Sequence, residues 1–200
     1  MCDDRAQLDA LLDATTIAHV AYVDDQGRPC VMPTSIARWA DRVVIHGSTG
    51  SRWLRAVADG RPVAVSVAEL TAVVVGHTSF QTGVHARSAV LYGQLQTLAG
   101  EEKAAALAIM LDRHLPGRST EVRRPTKPEL AATDVLVMAL DQWSCRVMAE
   151  PPKPPEDEAA ATTWCGTVTA APRTGTIEPS PTNHAPVPPS VAGLAAAFTV

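Results

Sequence analysis

The sequence predicts a mainly β fold, a closed or nearly closed antiparallel β-barrel with flanking α-helices. Three observations carry this. Short β-type runs rich in Val, Ile and Ala recur along the first 150 residues, tight turns join them at hairpin spacing, and few helical patterns interrupt them.

In order, Asp4–Ala14 places Leu8, Leu11 and Leu12 at i, i+3, i+4 spacing, the mark of an amphipathic helix. Ile17–Val23 and Pro29–Ala37 follow as strands, joined by Asp24-Asp25-Gln26-Gly27, a hairpin turn whose Gly tolerates positive φ. Arg42–His46 then completes an antiparallel meander. A second helix over Ser51–Asp59 buries Leu54, Val57 and Ala58 and stops at Gly60 and Pro62. Val63–Val67 and Thr71–His77 are expected as two buried strands of a hairpin. The long strand Arg87–Thr97 turns Ser88, Val90 and Tyr92 to one face and Ala89 and Leu91 to the other. Gly100-Glu101-Glu102 opens an Ala- and Leu-rich helix, Lys103–His114, ended by Pro116-Gly117. A short helix, Pro128–Ala132, leads to strands Asp134–Asp141 and Ser144–Met148. Past the proline-rich, charged connector that begins near Glu150, Thr162–Thr169 offers one more strand. Residues 170–200, dominated by Pro, Thr, Ser and Ala, lack apolar area for a core of their own.

Two hundred residues with 46% apolar content allow one ordinary domain with some excess. A net charge of −4 argues against nucleic-acid or anionic-membrane partners, because no large basic face is available for counterion release. The cluster Arg118, Arg123, Arg124 and Lys127 reads as a solvated loop. Cys2, Cys30, Cys145 and Cys165 are scattered without metal or disulfide spacing and read as reduced thiols, Cys30 and Cys145 as core residues. With no secretory signal at the start and no apolar run of ~20 residues, the expected location is the cytoplasm. No metal site is expected.

The chemistry concentrates in Ile45-His46-Gly47-Ser48-Thr49-Gly50-Ser51-Arg52, where an apolar strand enters a small, hydroxyl-rich turn and a helix begins. Glycines allow close backbone approach, hydroxyls and helix-initial amides converge, and Arg52 adds a guanidinium: the parts of a phosphate seat. The simpler reading is an ordinary strand-to-helix turn with Ser51 as N-cap.

Several separate segments follow in order: Ile17–Val23 through Gly27 to Pro33-Thr34-Ser35; the turn His46–Arg52; Arg87-Ser88-Ala89-Val90-Leu91-Tyr92-Gly93; and His114-Leu115-Pro116-Gly117-Arg118 followed by Arg124-Pro125-Thr126. Trp164-Cys165-Gly166 and Val187-Pro188-Pro189-Ser190-Val191 close the series. Together these resemble the pyridoxamine 5′-phosphate oxidase-like split barrels, in the flavin-nucleotide-binding branch that includes relatives of nitroimidazole-resistance reductases. The resemblance implies a six-stranded antiparallel split barrel of FMN-binding type, a homodimer with FMN at the subunit interface. It implies that residues 1–150 are the flavin-binding domain, 151–161 a Pro-rich linker, and 162–200 a C-terminal strand and tail packed on the barrel or on the partner.

On the matching positions, the cofactor-binding residues are Pro33, Thr34, Ser35, His46, Gly47, Ser48, Ser51, Arg52, Arg87, Ser88 and Trp164. His46 is the candidate catalytic residue, as proton donor or substrate contact. The alternative for His46 is a hydrogen bond to phosphate or backbone. The chain departs from the branch at His85-Ala86, where Asn-Tyr is usual, at Phe80-Gln81-Thr82 in place of a His-rich stretch, and at Ala171 in place of a basic residue, with Arg173 nearby. The implied function is FMN-dependent oxidoreduction of a small molecule, with reduced nicotinamide as a visiting donor because no G-x-G-x-x-G follows a strand. A flavin carrier or sensor without turnover is the alternative, as is a haem-binding relative with His85 or His46 as axial ligand, or a deazaflavin-binding one.

Overall fold

The structure is a computed structural model that describes residues 3–151, 164–170, 176–177 and 186–197. Helix α1 (Arg5–Ala14) precedes β1 (Ile17–Val23), β2 (Pro29–Ser35), β3 (Ala37–Trp39) and β4 (Arg42–Ser48). Then come α2 (Arg52–Val57), β5 (Pro62–Val75), β6 (Gly83–Gln94), β7 (Gln96–Thr97), α3 (Gly100–His114), α4 (Arg118–Glu121) and α5 (Lys127–Ala131). Strands β8 (Thr133–Ala139), β9 (Gln142–Met148) and β10 (Gly166–Thr169) and helix α6 (Pro189–Ala197) complete the described chain. The strands form two antiparallel sheets, ordered β2-β1-β5-β6-β9 with β10 on the far half of β5, and β3-β4-β8-β7.

Local chemistry explains the starts and turns. Asp4 caps α1 by accepting the Ala6 N–H at 2.8 Å, and Leu8, Leu11 and Leu12 are fully buried against the barrel. In the β1–β2 turn, Asp24 Oδ1 accepts the N–H groups of Gln26 and Arg28, both at 2.9 Å, and Gly27 takes φ 77°. Thr126 and Glu129 cap α5 reciprocally.

Three expectations change. The predicted strand Pro29–Ala37 breaks at the buried Ile36, whose N–H donates to Thr16 O at 3.0 Å, so β2 and β3 enter different sheets and no single meander forms. The hairpin expected between Val63–Val67 and Thr71–His77 is one strand, β5, with a register shift between Leu70 and Ala72. Ala68-Glu69-Leu70 holds no residue suited to reversing the chain, and Glu69 stays in the ladder opposite Arg87, so the interruption is a bulge. Third, part of the expected extended tail is the helix α6. It docks through Ser190, whose N–H and hydroxyl donate to the Glu121 carboxylate at 3.1 and 2.6 Å. The 151–161 linker lies outside the described residues apart from Pro151.

The barrel interior gathers residues from both sheets, including Val20, Ile45, Val65, Leu91, Leu136 and Cys145. A second cluster lies between α3 and the other face of β4 and β8, around Val44, Ala106, Met110 and Val135. Burying such side chains contributes roughly 1.5–3 kcal/mol each, which makes β4 and β8 the rigid wall on which the His46–Arg52 turn is mounted. The basic cluster after α3 is a paired surface: Arg118 with Glu121, Arg123 with Glu129, and Arg124 with Glu101. Among the described residues, no helix is long and apolar enough to cross a membrane.

Candidate functional site

The turn that follows β4 is tied down from several sides. His46, Gly47 and Ser48 pair with Val135, Asp134 and Thr133 of β8. The Thr49 N–H donates to Ala132 O at 3.0 Å, the Ser51 N–H to Ser48 O at 2.9 Å, and the Gly50 N–H to Ser48 Oγ at 3.1 Å. Arg55 Nη1 closes the loop by donating to Thr49 O at 3.0 Å. Ser51 occupies the N-cap position of α2, yet its side chain makes no capping bond. Arg52 is exposed, with no ion pair or hydrogen bond to its guanidinium among the described residues. The first helical bond is donated by Arg55, so the amides of Arg52, Trp53 and Leu54 find no acceptor within the helix.

Gly47 serves packing. A Cβ built there would lie 2.5 Å from Leu54 Cδ1, so its missing side chain lets α2 press onto β4. Gly50 has only an ordinary contact, 3.5 Å to Ser48 Oγ, and neither glycine needs positive φ.

Beside this turn, His46 lies on the β4 face that packs under α3. Its Nδ1 is buried without a hydrogen-bond partner among the described residues. Burial pushes the imidazole below its ordinary value, and the nearby His114 pushes the same way. His114, the last residue of α3, shares a 2.7 Å hydrogen bond between its Nε2 and Ser35 Oγ; burial lowers its pKa too, aided by Arg113. Arg113 Nε is likewise buried and unpartnered. Burial pulls that guanidinium below its ordinary value against the opposing charge of Asp13. Ser35, His46 and His114 thus form one cluster of two imidazoles and a hydroxyl at the corner where β2, β4 and α3 meet, where burial disfavours the charged form of both rings. Residue spacing gave His114 no functional role, because 79 positions separate it from Ser35. The only signal available was its place in the His114–Arg118 segment.

Strand parity sorts the remaining candidates. Directly opposed residues share a face, so Pro33, His19, Ser66, Val90 and Ser144 make one row across β2, β1, β5, β6 and β9. Val31, Ala21, Ala64 and Tyr92 make the next. Pro33, Ser35 and Ser88 therefore lie on the outer face of the larger sheet, with Ser88 opposite Arg146. Thr34 and Arg87 alternate to the barrel side. There Arg87 makes a two-pronged ion pair with Glu69, its Nε donating at 2.9 Å and its Nη2 to the same oxygen. Trp164 is 66% exposed and lies over Gly166 at the start of β10, where a Cβ would meet its ring at 2.8 Å. His85, the other candidate ligand, shares a 2.7 Å hydrogen bond with Glu150 O. Within one chain the structure joins Ser35 to the His46 corner and leaves Arg87, Ser88 and Trp164 apart from it.

The family model described as pyridoxamine 5′-phosphate oxidase matches residues 4–147, which hold both sheets except β10. The chain belongs to this split-barrel family. Among solved structures, it is 40% identical to a FAD and haem binding protein from Mycobacterium smegmatis, with TM-score 0.93 over 100% of this chain and 98% of that one. The flavocytochrome Anf3 from Azotobacter vinelandii is 30% identical, with TM-score 0.85 over 95% of this chain and 89% of that one. A Bacteroides thetaiotaomicron protein assigned to 5-nitroimidazole antibiotic resistance shares the fold at 18% identity and TM-score 0.63, over 72% of this chain and 84% of that one. No curated protein matches the chain significantly. The likeness to the Mycobacterium smegmatis protein covers the whole of this split-barrel chain, and so includes the segment that carries β10 and α6.

Proposed function

We propose that this chain binds a flavin nucleotide and works as a flavin-dependent oxidoreductase on a small molecule, as a homodimer. One observation carries the reading. At the head of α2, the Ser51 hydroxyl and the Arg52 guanidinium stand without partners among the described residues, while the neighbouring turn is hydrogen-bonded within the chain. An unpaired guanidinium, a free hydroxyl and unaccepted amides suit a phosphate, so the residues present fit the group.

Ser51 and Arg52 would hold that phosphate, and Ser35 and Pro33 would line the path from the turn to the outer sheet face. Bound flavin supplies the electron chemistry. His46, kept neutral by burial, would hold or pass a proton at its ring, with His114 fixed behind it by Ser35. The dimer reading rests on the outer face, where Ile17, Val31 and Leu70 are more than half exposed beside a flat field of small residues. A second copy there would bring Ser88 and Arg146 to a shared site. FMN was the expectation from sequence; FAD is the form named for the 40%-identical relative, and is the nucleotide proposed.

A second reading adds haem beside the flavin. It is supported by likeness to a FAD and haem binding protein and to a flavocytochrome, both extending past residue 147. The absorption spectrum of the purified protein, with mass identification of what denaturation releases, separates flavin, haem, both and neither. Ser51→Ala with Arg52→Ala should weaken flavin binding by about 2–4 kcal/mol, the scale of lost charge-assisted hydrogen bonds. Unchanged affinity would remove the phosphate from this turn.

A further inference from the structure

A cleft of about 810 Å³ opens between the end of the β1–β2 hairpin and the outward side of α2. That is within the roughly 300–1,000 Å³ typical of small-molecule sites. Its lining includes the half-buried aromatics Tyr22 and Trp53 with Met32, apolar surface suited to a flat ring. Asp24, Gln26 and Arg28 line it as well, offering donors and acceptors. Four arginines, Arg28, Arg52, Arg55 and Arg61, face three aspartates, Asp24, Asp25 and Asp59, an excess of one positive charge.

These charges are not equally available. Arg28 is held by Asp24 at 2.9 Å and Arg55 by Thr49 O. Arg61 bridges Asp25 and Asp59 at 2.8 and 2.7 Å and donates to Val23 O, which ties the hairpin to the chain after α2. Its guanidinium holds the Asp59 carboxyl down at about 2. Arg52 alone among the four brings a guanidinium with no partner among the described residues, and it is also the residue proposed to hold the flavin phosphate. Whatever extends beyond that phosphate can enter a prebuilt, polar, net-positive cleft with an apolar lining.

We propose that this cleft seats the adenylate half of a flavin dinucleotide, so the chain selects FAD over FMN through its own hairpin and α2 residues. The inference rests on the flavin reading above. An adenine ring would lie against Trp53, Tyr22 and Met32, its ribose hydroxyls would meet Asp24 and Gln26, and the added phosphate would share Arg52.

The test measures affinities of the full-length apoprotein for FAD and FMN by flavin-fluorescence quenching, with adenosine and NADPH as competitors. The expected result is FAD binding at least tenfold tighter than FMN, with adenosine, which brings no phosphate to Arg52, displacing FAD but not FMN. Ala56→Phe, which puts bulk into the cleft from α2 and no charge one helical turn from Arg52, should bring FAD down to the FMN level and leave FMN unchanged. Arg28→Ala, at an exposed position on the opposite wall, should shrink the preference in the same direction and serves if the first variant does not fold. Equal affinities in the unaltered protein, or equal loss of both flavins in the variants, would overturn the proposal while leaving the phosphate turn intact. NADPH binding abolished by Ala56→Phe, with FAD and FMN equal, would assign the cleft to an electron donor and also overturn it. Failure to bind either flavin would refute the flavin reading itself, and this proposal with it.

Discussion

Gly47→Ala tests whether the glycine next to His46 exists for packing or for a ligand. The added Cβ would sit 2.5 Å from Leu54 Cδ1, and Leu54 is 1% exposed, so its side chain has no open space into which to retreat. Overpacking of that kind costs about 1–3 kcal/mol. Leu54→Ala alone removes buried methyl groups under α2 and should cost about 2–5 kcal/mol. In the double variant the new methyl group occupies part of the space that Leu54 vacates. The two losses should then fall short of additivity by about 0.5–3 kcal/mol, as for residues in direct contact. Chemical denaturation of the four proteins closes the cycle, with unchanged m-values confirming that stability alone is altered. Additive losses would refute the packing argument. So would a Gly47→Ala protein of full stability whose only defect is flavin affinity.

Because burial lowers the His46 and His114 pKa values, the unfolded chain binds more protons near their ordinary value of about 6.5. Their contribution should be full above that pH and be lost as pH falls through the folded values; His46→Gln should flatten this part of a stability-versus-pH curve. For Arg87, a cycle with Glu69→Gln and Arg87→Met should show coupling of about 0.5–1 kcal/mol in thermal or denaturant melts, the range for partly exposed pairs. No coupling would mean that the ion pair does not stabilise the barrel end. Ser190→Ala should loosen α6, seen as faster amide exchange over residues 190–197 with β5 and β6 unaffected. The Ser190 hydrogen bond holds the Glu121 carboxyl below its usual range, so acidification should release α6 in the same way. Exchange that responds to neither change would detach the helix from that contact.

The turn at 46–52 was legible in the sequence as a place of chemistry because its meaning is local: a strand, three hydroxyls, two glycines and an arginine within one loop. So were α1 and the β1–β2 hairpin, whose leucine spacing and Asp24–Gly27 turn act over a few residues. Short strands and sparse helices also sufficed to give the class of fold, because periodicity records which face of each element is buried.

The tertiary structure decided what depends on partners distant in sequence. It turned the expected β5 hairpin into one bulged strand, because Glu69 finds Arg87 on the next strand. It put Ser35 against His114, and it set Gly47 against the buried Leu54. It also separated Thr34 from Pro33 and Arg87 from Ser88 by strand parity, dividing candidates that are adjacent in the chain between two faces of a sheet. Propensity and spacing act over about one turn or one hairpin, whereas burial, cross-strand pairing and hydrogen-bond satisfaction depend on which surfaces the folded chain brings together.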